Sequence, residues 1–255
     1  LNKDSFTKME MNGFDIKLNI PLKLQIKIEQ TLENMETTLG AKQVMAVVME
    51  TKSGRVISMA SSRRFLPKNI TKDDYPSLNS SMIEYSFEPG SVIKPIVLAM
   101  LLEKKAINPY DMVNGHNGKF QIGQKIITDE HPFGMLSAEE IIIHSSNIGI
   151  AQIAQRLNGN DFYRGLDAFG FGKKSTPDLV YEKAGAIPTP AQLNNEIYKA
   201  TAAYGYGIRA NLMQLMRAYS IFNNNGAMTS PRIVEAYIDS RKQPIKIPYE
   251  DSVQI

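Results

Sequence analysis

Apolar positions follow two different periods along this chain. Leu24, Ile28, Leu32, Met35 and Leu39 fall on one helical face, with Pro21 ahead of them and Gly40 behind. That spacing predicts a helix from Pro21 to Gly40. Leu22, Leu24, Ile26 and Ile28 also alternate, so a strand competes at its start. Val44 to Met49 is rich in β-formers, Lys52-Ser53-Gly54 supplies turn chemistry, and Arg55 to Met59 returns as the second arm of a hairpin. Residues 1–20 are polar and weakly patterned, and residues 61–81, rich in Pro, Asn, Asp and Ser, read as a long surface loop.

Ser86-Phe87-Glu88-Pro89-Gly90 breaks the pattern, and a helix follows from about Ser91 to Lys104. Its residues 96–102 are apolar all round, which predicts burial inside the domain. Residues 106–134 are rich in Gly and Asn, with short strands within Phe120 to Ile127. Ser137-Ala138-Glu139-Glu140 is a capping-box pattern opening a short helix through Ile143. Further helices are predicted over Ile148–Leu157, Asp161–Phe169 and Asn211 to about Phe222, with a Pro-rich loop at 186–190. The tail holds one strand, Arg232 to Ile238. Strands in front and runs of helices behind predict an α+β fold. Two or three strands make a thin sheet for so many helices, as though part of the sheet were missing.

Composition narrows the function. With 43% hydrophobic and 22% charged residues, the chain can bury a substantial core, which excludes disorder, collagen and coiled coil as global readings. The balance of 29 Lys+Arg against 26 Asp+Glu gives +3, no electrostatic footprint for nucleic acid. The absence of cysteine excludes disulfides, thiolate nucleophiles and Cys-ligated zinc. The longest apolar run, Ile96 to Leu102, has seven residues, against the roughly 20 of a spanning helix. Leu1-Asn2-Lys3-Asp4 is followed by no signal-peptide stretch, so any targeting part is expected outside this chain.

His116, His131 and His144 show no metal-ligand spacing and read as surface or loop residues. No G-x-S-x-G elbow exists to hold a serine of a Ser-His-Asp triad. Gly165 to Gly170 has P-loop glycine spacing, but Phe171 stands where the lysine belongs. Tyr204-Gly205-Tyr206-Gly207 is a loop without a dinucleotide fingerprint.

The strong candidate is Ser91-Val92-Ile93-Lys94. On a helix, positions i and i+3 share a face, so a hydroxyl and an amine lie one turn apart. A neutral lysine amine can take the serine proton and activate the nucleophile. Pro89-Gly90 places Ser91 near the helix N-terminus, where free N–H groups and the dipole favour an oxyanion. Pro95 is tolerated in the first turn. The lysine must lose its proton well below its ordinary ~10.4, which burial favours. The bland alternative is a serine that only caps the helix. S-x-x-K also occurs at Ser5-Phe6-Thr7-Lys8, in the polar N-terminal stretch, and reads as chance there. S-x-N occurs at Ser145-Ser146-Asn147 and at Ser77-Leu78-Asn79, and Asn147 could be a cap alone. Lys52-Ser53-Gly54 matches K-[ST]-G but reads as turn residues.

Glu88-Pro89-Gly90-Ser91-Val92-Ile93-Lys94-Pro95 closely resembles the active-serine segment of class B penicillin-binding proteins, the peptidoglycan D,D-transpeptidases. Ser145-Ser146-Asn147-Ile148-Gly149 resembles their second motif. The likeness extends to Asp15–Ile20 with Leu24-Gln25 and Glu29, to Val44–Ala60, to Phe169-Gly170-Phe171-Gly172, and to Tyr204–Ile208 with Gln214-Leu215 and Ala218-Tyr219. It covers roughly 13–235, and the order of the motifs makes it specific. Glu88 leans toward division-type members.

The resemblance implies the penicillin-binding protein and serine β-lactamase-like fold, an antiparallel sheet flanked by helices. Residues 1–20 would lead in from a preceding domain, and residues 21–255 would form the transpeptidase domain. It implies that Ser91 attacks the D-Ala-D-Ala carbonyl of a stem peptide, that Lys94 is the base, that Ser145 relays a proton to the leaving amine, and that Asn147 bonds Lys94 and the substrate. The implied partners are stem peptides, lipid-linked precursors, β-lactams, and a glycosyltransferase with division or elongation proteins, at the periplasmic face of a bacterial inner membrane. No metal or organic cofactor is implied. One departure stands out: nothing between Asn147 and Ile255 matches the family's third motif, K-[ST]-G. The expectation is a transpeptidase domain lacking its last strands and impaired by itself. A serine β-lactamase, a β-lactam sensor or a catalytically dead scaffold fragment are the alternatives.

Overall fold

The computed structural model describes residues 14–247 and 252–255. In chain order it contains β1 (Asp15–Leu18), α1 (Leu22–Leu39), β2 (Met45–Met49), β3 (Val56–Ser61), α2 (Ser81–Glu84), α3 (Lys94–Glu103), β4 (Met112–Asn114), β5 (Lys119–Ile122), β6 (Lys125–Thr128) and β7 (Met135–Ser137). Then come α4 (Ala138–Ile143), α5 (Asn147–Ala154), α6 (Gly159–Ala168), α7 (Pro190–Asn194), α8 (Glu196–Ala203), α9 (Leu212–Tyr219), β8 (Ala227–Met228), β9 (Val234–Ile238), β10 (Pro244–Lys246) and β11 (Val253–Gln254). Two compact units result. One gathers the chain up to Tyr85, Ser175–Glu182 and Leu215 onward; the other gathers Ser86–Lys174 and Lys183–Gln214. Residues 1–13, with Ser5-Phe6-Thr7-Lys8 and most of the 1–20 lead-in, lie outside the described residues.

In the first unit, helix wins over strand at Leu22–Ile28. The helix buries Leu32, half-buries Leu24 and Ile28, and leaves Leu22 and Ile26 exposed. Gln25 docks it onto β3, with its amide oxygen accepting from Ser58 Oγ and Met59 N and its amide nitrogen donating to Met59 O. The helix stops at Gly40, which takes φ 59 and donates to Thr37 O. The predicted hairpin forms: β2 and β3 pair antiparallel, Met45 opposite Ser61 and Met49 opposite Val56. Lys52-Ser53-Gly54 is its turn, with Gly54 at φ 70 and Ser53 Oγ donating to Glu50. A side chain at Gly54 would meet Ser230 O at 2.2 Å, so the turn needs this glycine for close approach as well as for its φ.

The weakly patterned lead-in also holds a strand. β1 pairs antiparallel with β9, Asp15 opposite Ile238, and β10 covers the other edge of β9. All four β1 side chains are exposed, so no burial alternation marks it in the sequence. The predicted tail strand begins at Val234, the short β10 pairs with it, and β11 pairs with β8 in a separate two-stranded sheet. The 61–81 stretch holds a 3-10 turn, Lys72–Ser77, and the start of α2.

The second unit is mainly helical around α3, which buries Ile96, Val97, Met100, Leu101 and also Lys94. α4, α5 and α6 pack against it. α4 begins as its capping box predicts, with Glu140 N donating to Ser137 Oγ and Ser137 N to the Glu140 carboxylate. α5 is capped by Ser146, whose hydroxyl accepts from Gly149 N. α6 starts at Gly159, capped by Asn158, two residues before the Asp161 expected from the pattern. α7 and α8 are additional to the predicted helices, although Thr189-Pro190-Ala191-Gln192 is a capping box with Pro at the first position and Asn195 caps α8. The predicted strands within Phe120–Ile127 form the β5–β6 hairpin, Lys119 opposite Thr128. Among the described residues no helix is long and apolar enough to cross a membrane.

Candidate active site

The site lies in the second unit. Pro89 and Gly90, the latter at φ 63, turn the chain into a 3-10 segment, Gly90–Ile93, that runs into α3 at Lys94. Ser91 is therefore exposed on the turn ahead of the helix, and Lys94 N donates to Ser91 O. Pro95 sits in the first turn of α3, where its missing N–H costs nothing.

That turn is braced from outside. Phe87 and Ala210 exchange backbone hydrogen bonds, Arg209 donates to Ser86 O, and Glu88 Oε1 accepts from Gly207 N at 2.8 Å. Gly90 N donates to Gly205 O, and the two glycine backbones touch closely. The Tyr204-Gly205-Tyr206-Gly207-Ile208 stretch is thus a backbone brace for the serine turn. The same segment continues to Arg209, which bridges Ala186.

Lys94 is 1% exposed, a cation inside an apolar helix. Its amine donates to Ser145 O and, at 3.0 Å, to Ser145 Oγ. Burial lowers its pKa from 10.5 to about 8, against the opposing charges of Asp129 and Glu130. Ser145 follows α4 in the left-handed region, φ 54, which is unusual for serine. That conformation turns both its carbonyl and its hydroxyl onto one lysine. Strain of this kind, ~1–3 kcal/mol, persists where the surroundings hold it. Here Ser145 N bonds Ile142 O and Ser146 N bonds Ile141 O.

The structure brings Lys94 and Ser145 into contact, with Ser91 one turn from the lysine in sequence and no hydrogen bond between Ser91 Oγ and Lys94 Nζ. Asn147 differs from the expectation: its carboxamide donates to Thr128 O at 3.1 Å and makes no hydrogen bond to Lys94. The reason is that Asn147 is the first residue of α5, held against the end of β6. Sequence reading missed the residue that holds it. Asp129 accepts from Asn147 N at 2.6 Å, Ile148 N at 3.0 Å and Ser146 Oγ at 2.6 Å. A lone aspartate after a short strand carries no motif; only its distances single it out. His116, His131 and His144 are exposed, and among the described residues no three His, Asp or Glu side chains converge as metal ligands.

Residues 44–253 match the penicillin binding protein transpeptidase domain. The chain belongs to this family. Among its relatives, the peptidoglycan D,D-transpeptidase FtsI of Buchnera aphidicola subsp. Schizaphis graminum is 30% identical over 215 residues, covering 84% of this chain and 37% of the relative. Penicillin-binding protein PbpB of Mycobacterium tuberculosis is 27% identical over 248 residues, covering 96% of this chain and 36% of the relative. The chain therefore spans little more than a third of these curated relatives. Among solved structures, penicillin binding protein 3 from Mycobacterium tuberculosis, complexed with ampicillin, superposes with a TM-score of 0.87 at 26% identity, covering 95% of this chain and 54% of that one. As a penicillin-binding protein transpeptidase domain, the chain has the α+β class expected from its element order.

Proposed function

We propose that this chain carries the serine centre of a peptidoglycan D,D-transpeptidase. The observation that carries the reading is Lys94: a buried amine of lowered proton affinity, one turn from an exposed serine and hydrogen-bonded to the serine of the second motif. With a pKa of about 8, roughly a quarter of Lys94 is neutral at pH 7.5. The neutral amine takes the proton from Ser91 Oγ as that oxygen bonds to the penultimate D-Ala carbonyl carbon of a stem peptide. Backbone N–H groups at the head of α3 stabilise the oxyanion. As the C–N bond breaks, the proton passes from Lys94 through the Ser145 hydroxyl to the leaving D-Ala amine. The amine of a second stem peptide then attacks the acyl-enzyme, which forms the cross-link and frees Ser91. Asn147, held beside β6, would bond the amide side chain of the substrate. β-Lactams acylate the same oxygen, and with no leaving group departing, the acyl group stays.

The whole protein would work at the periplasmic face of a bacterial inner membrane on lipid-linked precursors, beside a glycosyltransferase and division or elongation proteins. A serine β-lactamase or β-lactam sensor would share the Ser91–Lys94 geometry, and the absence of K-[ST]-G after Asn147 keeps a dead scaffold as the non-enzymatic reading. One assay separates these. The full-length protein is treated with a fluorescent penicillin, wild type against Ser91→Ala. A stable label lost in the variant is expected; steady hydrolysis favours the lactamase. Equal labelling of the variant would reject Ser91 as the nucleophile.

A further inference from the structure

The residue before the second motif that the proposed chemistry does not use is Asp129. It follows β6 directly, its own N–H bonded to Gly118 O at 3.3 Å. One carboxylate oxygen accepts from Asn147 N and Ile148 N, and the other accepts from the Ser146 hydroxyl. Ser146 is 1% exposed and caps α5 through Gly149 N. Asp129 therefore ties three consecutive residues to the end of the β5–β6 hairpin, and Thr128 O takes the Asn147 carboxamide from the same corner. The residue just before these three, Ser145, is the one Lys94 bonds. A shift of the Asp129 anchor is thus carried straight to the Lys94 partner.

We propose that Asp129 is the positioning residue of this site, one carboxylate that holds the second motif in register and sets a negative charge against Lys94. The inference builds on the reading of Ser91 and Lys94 given above. The other charged groups around α3 leave this role to the Asp129 corner. α5 has no charged side chain. On α4, the Glu140 carboxylate turns back to Ser137 N and Glu139 is exposed to solvent. On α6, Asp161 pairs with Lys104, Asp167 pairs with Lys173, and Arg164 is exposed. Asp129 and the neighbouring Glu130 are the two charges that oppose the effect of burial on Lys94. A carboxylate near an amine favours its protonated form, so Asp129 holds the amine for the proton it will receive while limiting how much is neutral at rest.

The two duties have separate signatures. In the full-length protein, the second-order rate of penicillin acylation is measured from pH 6 to 10 for wild type, Asp129→Asn, Glu130→Gln and Ser91→Ala. The wild-type rate is expected to rise with a midpoint near the Lys94 value of about 8. Asp129→Asn can still accept from both N–H groups but loses the charge and the strong bond to Ser146. Its midpoint is expected to fall by about one pH unit and its high-pH plateau by roughly tenfold. Glu130→Gln removes a charge that makes no hydrogen bond, and is expected to lower the midpoint by a smaller step. A purely structural aspartate would lower the plateau and leave the midpoint in place, and that result overturns the inference. An unchanged plateau in Asp129→Asn overturns it as well. If Asp129→Asn does not fold, by its thermal melt, Ser146→Ala, which removes the Asp129 bond and keeps its charge, is read in its place: a plateau equal to wild type overturns the positioning role. Labelling that survives Ser91→Ala refutes the underlying reading instead, and the two failures are told apart within one experiment.

Discussion

The brace behind the serine turn can be tested at a single atom. Gly205 sits at φ 94, and a Cβ there would lie 2.2 Å from Gly90 O, 2.4 Å from Gly90 N and 2.5 Å from Gly90 Cα. All three are backbone atoms of the residue before Ser91, so no side chain can swing away. Non-bonded heavy atoms settle near 3.5 Å, so Gly205→Ala must push the two backbones apart by roughly 1 Å. The left-handed backbone costs alanine about 1–2 kcal/mol. The overlap adds about 1–3 kcal/mol. For a domain of this size each kcal/mol lowers Tm by roughly 2–4 °C, so the melt should fall by roughly 4–20 °C. A displacement of about 1 Å at a nucleophile can cost roughly 100-fold in rate. The assay pairs the thermal melt with the rate of penicillin acylation at a temperature where the variant remains folded. Gly40→Ala is the control, since it has φ 59 and nothing within 4 Å of its Cβ. It should lose about 1 kcal/mol and keep its acylation rate. If Gly205→Ala acylates within threefold of wild type, the brace does not position Ser91 and the argument fails.

Lys94 gives a prediction with a definite sign. Its folded pKa of about 8 lies below its ordinary 10.5, so the unfolded chain binds more protons between those values and stability rises with pH there. The penalty of a buried charge is fully present below pH 8, up to about 3 kcal/mol, and fades by pH 10.5. Lys94→Met should therefore abolish acylation and raise Tm at pH 6.5, with the gain shrinking toward pH 10; a lower Tm at both pH values would contradict it.

Amino-acid order settles the local structure wherever the physics is local. Gly40 ends α1 and Ser137-Glu140 opens α4 because caps act within four residues. The helix after Ser91 buries most of the run from Ile96 to Leu102, which leaves no polar face, although Leu102 at its far end is 38% exposed. Ser91-Val92-Ile93-Lys94 stands out as a candidate because a hydroxyl and an amine three positions apart share a helix face, and Ser145 stands out only through its resemblance to a second motif. Tertiary structure decided the rest. β1 exists because β9 offers it an edge, although its own side chains stay exposed. Asn147 turns to Thr128 O and not to Lys94, because Asp129 pins the start of α5 to the β5–β6 corner. Asp129 lies 16 residues before Ser145, and Gly205 lies 115 after Gly90. No period or propensity marks such pairs; only packing brings a carboxylate to a helix end or one glycine against another. Even the lysine's proton affinity follows from burial, a property of the folded surroundings that no single stretch of chain can fix.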